Sequence, residues 1–101
     1  MRIGFWNVRI LREYCKLKQV EKEMTSYNLD IMGLIETKWK ENGEIKTQNE
    51  NFLIFSGVGE DIKHKSGVGI IMNKEAQRSL MEWSPVSERI ILACFKKKSE
   101  I

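Results

Sequence analysis

Two polar residues close short apolar runs within the first 36 residues of this chain. Asn7 follows Phe5-Trp6, and Glu36 follows Leu34-Ile35. A carboxylate at such a position can hold a hard divalent cation, because Mg²⁺ prefers oxygen ligands and often takes only one or two of them from protein. A neighbouring carboxamide offers a donor and an acceptor, so it can brace that carboxylate or touch a phosphate oxygen. Strand ends are also polar wherever they simply meet water, and spacing alone leaves both readings open.

Other residues extend the candidate site. Lys38 and Trp39 lie just past Glu36; a cation there can neutralise a polyanion and an indole can stack on a base or sugar. Surface charge for Lys38 and packing over a sheet edge for Trp39 are the competing readings. Arg89, near the start of the last apolar run, could contact a backbone phosphate. Gly57-Val58-Gly59 and Gly67-Val68-Gly69 do not lead into a helix, so they read as turn and strand glycines and not as a phosphate-binding fingerprint. His64 sits in a polar loop and reads as solvated. Cys15 and Cys94 form no zinc pattern and read as free thiols.

The elements that must position these residues follow from periodicity. Residues 2–8 are apolar and aromatic, as a mostly buried strand is. Across residues 11–28, Leu17, Val20, Met24 and Tyr27 recur on one helical face, with Lys18, Glu21, Lys22 and Glu23 on the surface. Asn28 tolerates the left-handed conformation and is suited to stop that helix. Residues 30–36 form a second, nearly continuous apolar strand, and a strand–helix–strand unit with short joints predicts a right-handed crossover with the two strands parallel. Their C-terminal ends then share one crevice, the place where open α/β sheets bind ligands.

Further strands are expected at 52–57, 67–72 and 87–97. A polar stretch with an Asn42-Gly43 turn fills 37–50, a loop covers 58–66, and a turn or short helical piece starts at Asn73 or Lys74. Trp6 and Trp83 read as core or sheet-packing aromatics. Five strands and one long helix in this order suggest an α/β sheet whose second half is missing. Such a sheet would carry an exposed edge through which the chain could self-associate.

Composition fits one folded domain at most. The chain has 101 residues, 42% of them hydrophobic and one of them proline, which is too apolar for a disordered protein. A formal charge of +3 permits a polyanionic partner without demanding one. The positive residues are spread over 9–22, 38–46, 63–65 and 96–98, mostly among glutamates, and not gathered in one patch. No basic leader precedes an apolar run, and no stretch approaches the ~18 apolar residues of a membrane span. The expectation is an intracellular protein, nuclear or cytoplasmic, without a membrane partner.

Trp6-Asn7-Val8, followed after the helix by the run from Asp30 to Trp39 (DIMGLIETKW), resembles the opening of the endonuclease/exonuclease/phosphatase superfamily. The runs Ser66 to Ile70 and Val86 to Ile91 fit later strands of that family in the right order, and residues 67–91 are most similar to its non-LTR retrotransposon, apurinic-endonuclease-like branch. The resemblance covers nearly the whole chain. It implies the N-terminal half of a four-layer α/β sandwich. Glu36 would be the metal-binding glutamate for Mg²⁺ or Mn²⁺, held weakly in this chain. Asn7 would be the asparagine of the metal and phosphate network, and DNA would be the parent protein's partner. The family's aspartate base, its phosphate-contacting histidine and its Asp-x-Asn motif have no counterpart here, and Arg9 stands where many apurinic endonucleases carry aspartate. The expectation is a fragment of a phosphodiesterase that is inactive alone. The alternatives are a non-catalytic interaction module or a decayed transposon-derived fragment.

Overall fold

A computed structural model describes residues 2–7, 14–37, 41–57, 67–87 and 89–96. The architecture is mixed α/β with strands predominating. Strand β1 (Ile3–Asn7) leads through helix α1 (Tyr14–Ser26) to β2 (Ile31–Ile35). The two strands pair parallel, with Ile3 opposite Ile31 and Asn7 opposite Ile35, as the strand–helix–strand order predicts. Strands β3 (Gly43–Lys46), β4 (Phe52–Ser56) and β5 (Val68–Met72) complete a five-stranded sheet in the order β1-β2-β5-β4-β3. All pairings beyond β1–β2 are antiparallel.

A one-and-a-half-turn helix α2 (Lys74–Ser79) follows β5, at the place where the sequence calls for a short helical piece. Asn73 caps it, its side-chain oxygen accepting from the Ala76 N–H. Strands β6 (Leu80–Ser87) and β7 (Ile90–Phe95) then form a separate antiparallel hairpin.

Two apolar layers hold these elements together. On one face of the large sheet, Val20 and Met24 of α1 bury against Met32, Leu34, Leu53, Phe55 and Ile71, with Trp6, Leu17 and Leu29 at the margin. On the other face, Ile31, Ile54 and Met72 pack with Ala76 against the inward residues of the hairpin, Trp83 among them. Alternation along β4 explains the division: Leu53 and Phe55 face the helix, while Phe52 and Ile54 face the hairpin. Trp6 and Trp83 are therefore the sheet-packing aromatics expected of them.

The described residues hold seven strands, not five. β3 occupies part of the stretch expected to be a polar turn. It is an edge strand, half-buried only at Gly43 and exposed elsewhere, so it needs no apolar pattern. β6 contains Pro85 and a register shift between Leu80 and Glu82 that turns Met81 and Glu82 both outward, which interrupts at its start the alternation a strand would show.

Two corrections concern α1. The helix ends at Ser26, so Tyr27 leaves the apolar face and is 62% exposed. Leu29 takes its place, its N–H donating to the Met24 carbonyl beyond Asn28, whose φ of 56° makes it the left-handed stop expected. Glu21, expected on the surface, is buried. One of its carboxylate oxygens accepts from Thr47 Oγ1 (2.7 Å) and Asn51 Nδ2 (2.6 Å), which ties the β3–β4 turn to the helix.

Candidate metal and phosphate site

The parallel pairing of β1 with β2 brings Asn7 and Glu36 to the same end of the sheet, one register step apart. Asn7 is exposed on its strand end and Glu36 is half-buried just beyond Ile35. The row continues across the sheet, because Ile35 pairs with Val68 and Val68 with Ser56. Antiparallel β5 begins where β2 finishes, so its entry residue Gly67 also lies here.

The backbone turns sharply at this end. Glu36 has φ 59°, a left-handed conformation that a non-glycine residue adopts at some cost. Gly67, with φ 110°, takes a conformation that suits glycine. The two turns are stapled together: the Thr37 N–H donates to the Gly67 carbonyl at 3.1 Å. A chain leaving β2 in regular extended form would carry Glu36 past the sheet end. The left-handed turn instead folds Thr37 in, where it is fully buried.

Arg89 reaches the same end by another route. It is exposed in the β6–β7 turn, and its N–H donates to Ser87 Oγ (3.1 Å). The Ser87 carbonyl in turn accepts from the buried Ser56 Oγ (2.6 Å) on β4. Asn42 closes the far side, its side-chain oxygen accepting from the Gly57 N–H at 2.9 Å. Lys38 and Trp39 lie outside the described residues, as does His64. Cys94 is a free, exposed thiol on β7, away from this row.

The residues gathered at this end offer a carboxylate, a carboxamide and hydroxyls, all oxygen donors of the kind a hard cation takes. Among the described residues no group of three or more His, Cys, Asp or Glu side chains could enclose a metal by itself. Glu36 with the neighbouring Asn7 is therefore the oxygen-bearing pair this end offers, the minimum a hydrated hard cation takes from protein. Thr37 is the residue sequence reasoning missed. Its Oγ1 is buried without a hydrogen-bond partner among the described residues, and a threonine after a strand-end carboxylate gives no signal of that.

At the opposite end of the sheet lies a carboxylate held below its ordinary titration range. Asp30 accepts from the Arg2 N–H (2.8 Å) and from Asn73 Nδ2 (2.9 Å). Those two bonds, the backbone one first, hold its carboxyl below the ordinary value of 3.8 against a small opposing effect of burial.

The fold is a mixed α/β one in which the C-terminal ends of two parallel strands bring a carboxamide and a carboxylate to one end of the sheet. Among known proteins, the chain resembles craniofacial development protein 2. It is 32% identical to that protein of Tragulus javanicus over 96 residues, 95% of this chain and 16% of the relative. The Bos taurus protein of that name is 31% identical over the same proportions. The chain thus spans about one-sixth of the length of the curated relatives it matches. No protein-family model and no solved structure matches it. Among the described residues no helix is long and apolar enough to cross a membrane.

Proposed function

We propose that this chain forms the cation-holding part of a Mg²⁺-dependent phosphodiesterase, most closely a retrotransposon-type DNA endonuclease of the endonuclease/exonuclease/phosphatase superfamily. The observation that carries the reading is the parallel β1–β2 pair, which puts Asn7 and Glu36 at the same end of the sheet, where open α/β sheets bind ligands. The order of the quoted motifs along the chain supports it, as does the oxygen-only donor set. The two packed sheets with a helix on one outer face are compatible with part of a four-layer sandwich.

In this reading Glu36 holds the cation, and Asn7 orients that carboxylate or donates to a phosphate oxygen. Arg89 on its turn, with Lys38 and Trp39 beyond Glu36, accompanies the nucleic-acid backbone. A bound divalent cation supplies Lewis-acid stabilisation of the charge that develops on the phosphodiester. In this reading these residues bind and orient, and the chain alone does not turn over substrate.

The test is a Mn²⁺ or Mg²⁺ titration of thermal unfolding for wild type and Glu36→Gln. A ligand that binds only the folded state raises its stability with occupancy. Wild type should shift upward and Glu36→Gln should not. Equal behaviour of the two removes Glu36 as the ligand. A nicking assay on supercoiled plasmid should show no turnover for either protein, and turnover by wild type would overturn the inactive-fragment reading.

A second reading has its own observation. Within the described residues β7 pairs only with β6, and the outer face of that hairpin exposes Met81, Val86, Ile90 and Leu92. An apolar face beside an open strand edge suits strand addition by a second copy or a partner. Light scattering across a concentration series tests it: a mass that rises with concentration favours an interaction module, and a constant monomer mass rejects self-association.

A further inference from the structure

A groove of about 300 Å³ runs between α1 and β1 on the helix side of the large sheet. Trp6 lines it from the strand, and Glu23 and Tyr27 line it from the end of the helix. The Tyr27 N–H donates to the Glu23 carbonyl (3.0 Å), which sets these two residues one turn apart on the same side. Leu29 and Met32 add apolar surface. Gly4 adds no side chain, and Leu29 Cδ1 lies 2.7 Å from where a Cβ there would stand. Trp6 and Glu23 are half-buried while Tyr27 is 62% exposed, so the groove is open to solvent beside the tyrosine. Glu23 is the one charged residue that lines it among the described residues. The last turn of α1 carries no basic residue, so the negative end of the helix dipole adds to that charge. In a chain of net charge +3 this is a local departure: two aromatic rings and a carboxylate around one opening.

We infer that this groove binds the arginine side chain of a partner polypeptide. A guanidinium lies flat on an aromatic face and donates paired bonds to a carboxylate. Trp6 and Tyr27 with Glu23 supply both surfaces. A quaternary ammonium would use the rings but has no N–H to give Glu23, and a lysine ammonium would pair with Glu23 but stacks less well. Free arginine brings its own carboxylate, which Glu23 and the helix end repel. An arginine within a chain has none, and the open side at Tyr27 leaves space for that chain to pass. The groove uses none of the residues assigned to the divalent cation, so the inference does not depend on that reading.

The experiment follows the Trp6 indole N–H by nuclear magnetic resonance in the 101-residue protein, its signal assigned by its loss in Trp6→Phe. The probes are acetyl-Gly-Arg-Gly-amide, the same tripeptide with lysine or with uncharged citrulline in place of arginine, and free arginine. The expected result is a saturable shift with the arginine tripeptide, none with the citrulline one, and weaker binding of the lysine tripeptide and of free arginine. The arginine tripeptide should bind roughly tenfold more weakly to Glu23→Gln and roughly threefold more weakly to Tyr27→Ala. Both side chains lie outside the buried clusters, so both variants should melt with wild type. No saturable shift with the arginine tripeptide, equal binding of the citrulline one, or unchanged affinity in Glu23→Gln overturns the site. Equal binding of the lysine tripeptide overturns its assignment to a guanidinium, and equal or tighter binding of free arginine overturns the polypeptide source.

Discussion

Where β1 and β2 begin, Arg2, Asp30 and Asn73 tie three strands into one hydrogen-bonded knot. Both oxygens of Asp30 accept, its backbone carbonyl takes the Asn73 N–H, and Asn73 caps α2 as well. The β3–β4 turn at the same end is anchored on buried Glu21. Where β1 and β2 finish, Glu36 is left-handed, Ile35 is exposed, and the Thr37 hydroxyl has no hydrogen-bond partner among the described residues. The first end commits its carboxylates to the fold, whereas the second presents Glu36 half-buried beside ordinary turn and strand bonds at Ser56, Ser87 and Asn42. Stability should therefore be concentrated at the first end and cation response at the second.

The largest effect expected from this contrast is at Glu21. Glu21→Ala removes the shared acceptor of Thr47 and Asn51 and frees the β3–β4 turn from α1. Bonds to a charged acceptor are each worth roughly 1.5–3 kcal/mol, so a loss of about 3 kcal/mol in urea unfolding is expected. Mn²⁺ binding at the far end should be unchanged while the protein remains folded. Asn73→Ala comes next, losing a helix cap and one bond to Asp30, for about 2 kcal/mol. If either substitution costs less than Thr37→Ala, the two ends are not built as described.

A smaller effect is the acid response of the knot. Asp30 titrates below its ordinary value of 3.8 in the folded protein, so the unfolded chain binds more protons there. Its contribution to stability is complete above the unfolded value and is lost as pH falls through the folded one. Stability measured between about pH 5 and pH 2 should thus decline less steeply in Asp30→Asn than in wild type. An identical slope would mean that the Arg2 and Asn73 bonds do not act on the carboxylate in solution.

The two ends also differed in how far they could be read from sequence. Asn7 and Glu36 were visible because each ends an apolar run, and a helix of suitable length between them predicts parallel strands. Asn28 was visible because few residue types stop a helix in the left-handed region. Glu21 was not, because its partners lie 26 and 30 positions away and nothing local marks it as buried. β6 was hidden by Pro85 and by a register shift that breaks alternation. Thr37 was hidden for a different reason: burial of a hydroxyl is decided by the turn at Glu36, and a glutamate in sequence does not announce a positive φ.

That turn gives the smallest and most discriminating prediction. Glu36→Gln removes the charge but keeps a side chain in the left-handed region, whereas Glu36→Gly removes both charge and steric cost. Holding a non-glycine residue there costs roughly 1–2 kcal/mol, and glycine's extra freedom in the unfolded chain returns about half of that gain. Glu36→Gly should accordingly be more stable than Glu36→Gln by about 0.5–1 kcal/mol in metal-free urea unfolding, and neither should bind Mn²⁺. A stability gain here, opposite in sign to the losses at Glu21 and Asn73, would mean that the backbone at Glu36 is kept against the interest of the fold. Equal stabilities for the two variants would mean that the turn is relaxed, and the contrast would then rest on the Thr37 hydroxyl alone.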